Sequence, residues 1–219
     1  MKAEVIELIV KVIQVLQINM RWMTWNLFLA FIPLVLSTWL FRGRQKPSLV
    51  WWPVFLVFYA FLPNAPYLLT DVIHLIDDIR NIPSIWVITL ILIPTYLLVI
   101  LAGFQAYVIS LINLGYYLHR IRRSSWIMPV ELITHILNAI GIYWGRFLRF
   151  NSWDLVTQPD TILTKGIEEL LGKQPLVIIL ISFIILWGLY SLVKQITLGI
   201  IYRQERKVST QDNIKIRRL

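Results

Sequence analysis

Cysteine is absent from the 219 residues, so no disulfide, thiolate metal site or cysteine nucleophile is open to this chain. Charge is scarce too: Asp, Glu, Lys and Arg make up 15% of the residues, where soluble domains carry about 25%. Acids are the rarer sign, 12 against 21 Lys and Arg, and histidine occurs three times with no spaced pair for zinc. No Walker loop, Gly-x-Ser-x-Gly elbow, His-Glu-x-x-His or dinucleotide fingerprint is present, which speaks against ATP-driven and classical hydrolase mechanisms. Neither an internal repeat nor a low-complexity tract stands out. A cleavable signal peptide is not expected, because Glu4 and Glu7 lie in the first turns, Lys11 interrupts the apolar run and no small-x-small site follows.

What the chain does have is apolar length. It is 58% hydrophobic with a mean hydropathy of +0.68. In water such a fold would expose large apolar patches and aggregate. A lipid bilayer is the partner that fits, and the fold expected is all-α: a polytopic transmembrane helical bundle of five spans. The net charge of +9 does not point to nucleic acid, because the basic residues sit in short loops beside apolar runs.

Charge-poor windows locate the spans, since roughly 20 apolar residues cross about 30 Å of hydrocarbon. They run over Trp22–Phe41, Pro47–Thr70, Ile85–Tyr107 within a longer window of 81–118, Trp126–Phe147, and Gln174–Val193 with an extension to Tyr202. Pro63 and Pro66 break the second window and Pro94 kinks the third. Trp22, Trp25, Trp51, Trp52, Trp86, Trp126 and Trp144 sit near span ends, as interfacial anchors do. Val5–Met20 is a helix with Glu7, Lys11 and Gln14 on one face; it lies in the interface or adds a short sixth span. The chain thus divides into residues 1–20, a transmembrane domain at 21–202 and a basic tail at 203–219. Between spans four and five, Pro159, the periodic Ile162, Leu163, Ile167 and Leu170, and Gly172 as a stop predict a short surface helix.

Basic loops set the orientation. Arg42, Arg44 and Lys46, then Arg120, Arg122 and Arg123, then seven Lys and Arg from Lys194 onward share one side. They make 13 basic residues against Glu205 and Asp212. The opposite side sets six basic residues against seven acids. The basic side is therefore expected to be cytoplasmic, with the C-terminus inside a cell membrane.

Three runs carry a family resemblance: Trp25-Asn26-Leu27-Phe28-Leu29-Ala30, Phe61-Leu62-Pro63-Asn64-Ala65-Pro66-Tyr67 continuing to Thr70-Asp71-Val72-Ile73-His74-Leu75, and Gly145-Arg146-Phe147-Leu148-Arg149-Phe150-Asn151-Ser152-Trp153-Asp154. Together, over roughly Trp25 to Pro159, they resemble the bacterial membrane family catalogued as domain of unknown function 1361. The resemblance implies an integral membrane protein and assigns no activity and no catalytic residue.

The candidate sites follow from polar residues placed where they are costly. Pro63-Asn64-Ala65-Pro66 removes backbone donors; a helix restarting near Asn64 in a wet cavity would bind an anion or an ion-coupled substrate. It would otherwise be an ordinary helix end at the interface. Asp71, His74 and Asp78 stand at i, i+3 and i+7 on one helical face, a cation or acid–base set or else a solvated polar face. Too few ligands are present for a zinc signature, so no metal or cofactor is assigned. Arg146, Arg149, Asn151 and Asp154 form a second outward cluster. It would clamp a phosphate or headgroup, snorkel to lipid, or, the preferred reading, pair with Asp71, Asp77 or Asp78 and close the outer face. Along the fourth span Glu131, His135, Asn138, Gly145 and Arg149 follow one stripe, either a solute or proton path or a seam between helices. Gly141-x-x-x-Gly145 marks a close-packing face beside it.

Three functions stay open. The leading one is a small charged-solute permease or solute-binding protein with an outward polar site. The second is a membrane-embedded enzyme on lipid headgroups, with Asp71, His74 and Asp154 as acid–base or metal groups and Arg146 with Arg149 on phosphate. The third is a non-catalytic assembly protein.

Overall fold

A computed structural model describes residues 2–43, 47–82, 84–170 and 172–216, without the side chains of 2–9, 11, 12, 14–16, 18, 155, 156, 163 and 208–216. The expected contributions of Glu7, Lys11, Gln14, Arg44, Lys46 and the Leu163 side chain lie outside these described residues. Among the described residues five helical stretches are long and apolar enough to cross a membrane: Asn19–Arg42, Trp51–Asn81, Ile85–Arg120, Ser124–Leu148 and Lys173–Lys207. Among the described residues there is no strand.

The first helix, α1 (Lys2–Ser37), is one uninterrupted piece, so the stretch expected as a separate N-terminal helix continues straight into the first span. It ends in a π turn, Thr38–Arg42. In the second span, α2 (Trp51–Phe61) is followed by a helical turn at Asn64–Tyr67, a 3₁₀ turn at Leu68–Asp71 and α3 (Val72–Asn81). The third span opens at Ile85, passes a π turn at Ile88–Leu92 and becomes α4 (Ile93–Arg120). Pro94 lies at the start of α4, and the irregular winding falls just before it, where a proline leaves a carbonyl without its amide. The fourth span is α5 (Ile127–Tyr143) with a terminal π turn, Trp144–Leu148. The fifth lies in α6 (Lys173–Ile216), which stays helical well past residue 203, the expected start of the tail.

Helix α4 is the centre of the bundle. Gly103, Phe104, Ala106, Tyr107, Val108, Ser110, Leu111, Ile112, Asn113 and Leu114 are all buried, which surrounds the helix on every side over three turns. Its longest packing partner is α1, while α6 leans chiefly on α5. At the basic end, the Arg42 Nε donates to Asn113 Oδ1 at 2.7 Å, and Asn113 Nδ2 donates to Ser37 Oγ at 2.9 Å. This chain, buried at Asn113 and Ser37 and exposed at Arg42, ties the first span to α4 where apolar contacts alone would allow sliding. Phe41, Trp51, Phe55 and Phe58 form an aromatic cluster beside it. Trp51, expected as an interfacial anchor, belongs to this core at 6% exposure and donates its indole N–H to the Leu40 carbonyl. Trp25, Trp52, Trp86 and Trp126 are exposed, as anchors are.

The surface helix after α5 forms as Pro159–Thr161, a π turn Ile162–Gly166 and Ile167–Leu170. Ile162 is buried, and the Trp144 indole N–H reaches the Gly166 carbonyl at 3.3 Å, so the segment folds back onto the end of the fourth span.

Candidate functional site

The site begins with the two prolines. Leu62, Pro63, Tyr67 and Leu68 all keep right-handed helical angles, so the chain neither unwinds nor stops but threads through as short, differently wound turns. A helical turn restarts at Asn64, and Ala65, Pro66, Leu68 and Asp71 are buried between α1, α4 and α5. Glycines make the room. A Cβ on Gly141 would lie 2.7 Å from the Pro63 ring, and one on Gly145 would lie 3.2 Å from Tyr67. The small-residue pair of the fourth span, Gly141 in α5 and Gly145 in its π turn, thus receives the proline segment. Asn64 repairs the backbone: its Nδ2 donates to the Phe61 carbonyl at 2.9 Å and to Ser152 Oγ at 2.7 Å. The amide of Ala65 goes to Leu62 instead, so Asn64 meets the carbonyl left over.

One turn later Asp71 meets Arg146. Arg146 Nη2 donates to Asp71 Oδ1 at 3.0 Å, with the two side chains 2% and 16% exposed. Nε and Nη2 also donate to Thr70 Oγ1, and Nη1 reaches His74 Nε2 at 3.3 Å. A guanidinium can only donate, so in this contact His74 Nε2 stands on the acceptor side. The guanidinium lies 4.7 Å from the centre of the Tyr67 ring, and Trp22 packs on His74 with ring centres 5.0 Å apart. The Asn26 side chain on α1 also hydrogen-bonds the carboxylate. Asp71 Oδ2 is buried and has no hydrogen-bond partner.

The predicted outward residues divide. Asp71, His74 and Arg146 converge, and Asn64 lies about two turns back along the same segment. Asp78 turns away: it accepts from Asn19 Nδ2 at 2.7 Å and from Tyr96 O–H at 2.8 Å, fastening α3 to α1 and α4. Asn151 and Asp154 bond each other in an exposed turn, Asn151 N–H to Asp154 Oδ2 at 2.7 Å, and do not enter the cluster. Arg149 is exposed at the left-handed C-cap of the fourth span, φ 57°. Arg146 lies inside the π turn, whose extra residue carries the stripe from Gly145 to Arg146, whereas Arg149 falls at the cap where the helix has already ended. Thr70, Tyr67 and Ser152 were not singled out from the sequence, although all three lie inside the motifs that carry the resemblance. Among the described residues no group of three or more His, Asp or Glu is placed to hold a metal ion.

Toward the basic side, α5 carries a second polar group. Glu131 Oε1 accepts from Tyr190 O–H at 2.6 Å and from the Lys194 ammonium, both on α6. His135 is fully buried, its Nδ1 2.6 Å from Tyr107 O–H on α4. Asn138 is buried and donates to the Thr134 carbonyl at 2.7 Å. His135 Nε2 and Asn138 Oδ1 lack partners. Lys194 was counted as part of the basic end of the chain; its i, i+4 spacing from Tyr190 is the signal that places it on the Glu131 face.

Apolar helices long enough to span, a core wound around a central helix and ionic groups turned into that core define a multi-pass integral membrane protein. Residues 25–187 match the model of a protein family of unknown function, DUF1361, and the chain belongs to that family. No curated protein and no solved structure matches it.

Proposed function

We propose that the protein binds and passes a small charged solute of positive charge, entering at the Thr70–Asp71–His74–Arg146 cluster on the face opposite the basic loops. The observation that carries the reading is Asp71, a carboxylate buried in the bundle whose Oδ2 has no close hydrogen-bond partner among the described residues, Arg146 and Asn26 being its donors. Arg146 has little left to offer an anion: one N–H on Nε, two on Nη2 and one on Nη1 are already engaged, four of the guanidinium's five. The unused capacity is therefore an acceptor, which suits a proton, an ammonium group or an alkali cation. Beyond it, Asn138, His135 and the Glu131–Lys194 pair continue the polar line along α5 toward the basic side, which by its loop charges is the cytoplasmic one.

Headgroup chemistry is less well served, since Asp154, the third member of its acid–base set, is occupied in the local turn with Asn151. The test is flux into proteoliposomes, read with an internal pH dye for protons and with labelled methylammonium and sodium. Asp71→Asn, folded in detergent, abolishes the flux. Full flux in that variant, or no flux in the parent protein for any of the three, sinks the reading. A variant that merely lowers abundance without touching specific activity would instead support the assembly role.

A further inference from the structure

On the basic side, α5 and α6 part around a cleft of about 270 Å³, lined by Met128, Glu131, Leu132, His135, Tyr190 and Lys194 among others. Trp187 and Leu198 complete its apolar wall, and with Met128 they are exposed on the outer surface of the bundle. Ser191 and the exposed Gln195 also line the mouth, so its rim has an apolar side made by Met128, Trp187 and Leu198 and a polar side toward the basic end. The volume holds a headgroup-sized fragment, at the small end of ligand pockets, with any tail left in the lipid.

The polar floor decides what fits. Glu131 and Lys194 neutralise each other, so the floor carries no net charge. His135 supplies the deciding atom. Its Nδ1 pairs with Tyr107 O–H, and Tyr107 has no other acceptor among the described residues. Were the Nδ1 protonated, the Tyr107 hydroxyl proton would be left buried and unpaired. Tyr107 therefore donates to Nδ1, and the imidazole proton sits on Nε2. That Nε2–H is buried, has no partner, and belongs to a residue lining the cleft. Lys194 holds further N–H groups beyond the one given to Glu131. Unspent donors on a neutral floor call for an acceptor oxygen without charge.

We propose that this cleft binds the carbonyl end of a neutral, bilayer-borne amphiphile, with His135 Nε2–H donating to the carbonyl oxygen and the apolar chain leaving past Trp187 and Leu198. Quinone and ester carbonyls share this chemistry, and the test separates them. The full chain in detergent is titrated with decylubiquinone, with dioctanoylglycerol and with decanoate, read by tryptophan emission against a Trp187→Phe reference. Saturable quenching or shift by decylubiquinone assigns a quinone, and by dioctanoylglycerol an ester lipid; either supports the site. His135→Asn weakens binding about 3- to 10-fold, the loss of one hydrogen bond. Because that variant removes a buried contact, Leu132→Trp serves as the second: it fills the cleft, keeps His135 and Tyr107 intact, and abolishes saturation. No saturable response in the folded parent, unchanged binding in Leu132→Trp, or tighter binding of decanoate than of both neutral probes overturns the proposal. His135 lies on the proposed cation line, so His135→Asn is read for ligand binding alone, and cation flux in Leu132→Trp, which leaves Asp71 and His135 in place, tells failure of this site from failure of the entry site.

Discussion

Arg146 and Asp71, 75 residues apart in sequence, meet at 3.0 Å inside the bundle, and the pairing fixes the end of the fourth span against the irregular middle of the second. The guanidinium is also shared with Thr70 and His74, so a single side chain organises four residues of one segment. Nothing else in the described structure links these two spans with charge.

Removing one partner strands the other. Arg146→Gln leaves a carboxylate that is nearly inaccessible to water, and breaking a buried pair in this way costs about 3–5 kcal/mol. Asp71→Asn strands the cation less, because Arg146 retains Thr70 and some exposure. The double variant, neutral on both sides, should recover a large part of the loss. Denaturation midpoints of the four proteins in mixed micelles measure this directly; additive losses would show that the pair does not couple.

Arg149 gives the opposite expectation. Its left-handed backbone at the C-cap suits glycine, and a side chain there costs on the order of 1 kcal/mol. Arg149→Gly should raise the unfolding midpoint relative to Arg149→Ala, and both should keep cation flux. A flux lost in Arg149→Gly would return this residue to the site.

Much of this was legible in the residues. The five spans, the basic side and the surface segment at Pro159 follow from apolar length, loop charge and proline placement, which are local properties. Arg146 and Asp71 were legible as candidates because ionic groups near apolar runs are conspicuous. What the sequence hid was winding. Helix periodicity assumes one residue every 100°, and the π turn at Trp144–Leu148 moves the inward position from Gly145 to Arg146 and ends the helix at Arg149. Similarly, two prolines three apart read as a break, and only the glycines of α5 and the Asn64 side chain explain how a helical path survives them. Tyr107, Tyr190 and Lys194 stayed unnoticed because their polar atoms find partners on other helices, a tertiary fact without a local pattern.

Asn64 should behave as a structural amide. Its side chain satisfies the Phe61 carbonyl and holds Ser152 of the loop that follows the fourth span. Asn64→Ala leaves that carbonyl without its side-chain donor and costs about 1–3 kcal/mol. Ser152→Ala removes only the second bond and should cost less than about 1.5 kcal/mol, the range of a single net hydrogen bond. Equal losses in the two variants would mean that the loop contact, and not the backbone repair, is what matters.

The glycines offer the sharpest contrast. A methyl group at Gly141 meets the Pro63 ring at 2.7 and 2.8 Å, and a proline ring has no flexible end to swing aside. Gly141→Ala should therefore push α5 from the second span at a cost of about 1–3 kcal/mol, the usual penalty of overpacking. At Gly188 on α6 the same substitution meets nothing within 4 Å, so only helix propensity acts, favouring alanine by about 1 kcal/mol in a water-exposed host and by less in lipid. Because Arg146 lies on the same span as Gly141, the displacement should also lengthen the Arg146–Asp71 contact and reduce cation flux, while Gly188→Ala leaves both alone. Melting curves and flux on the two variants decide it: a Gly141→Ala protein as stable and as active as the parent would mean that the fourth span does not seat on the proline segment.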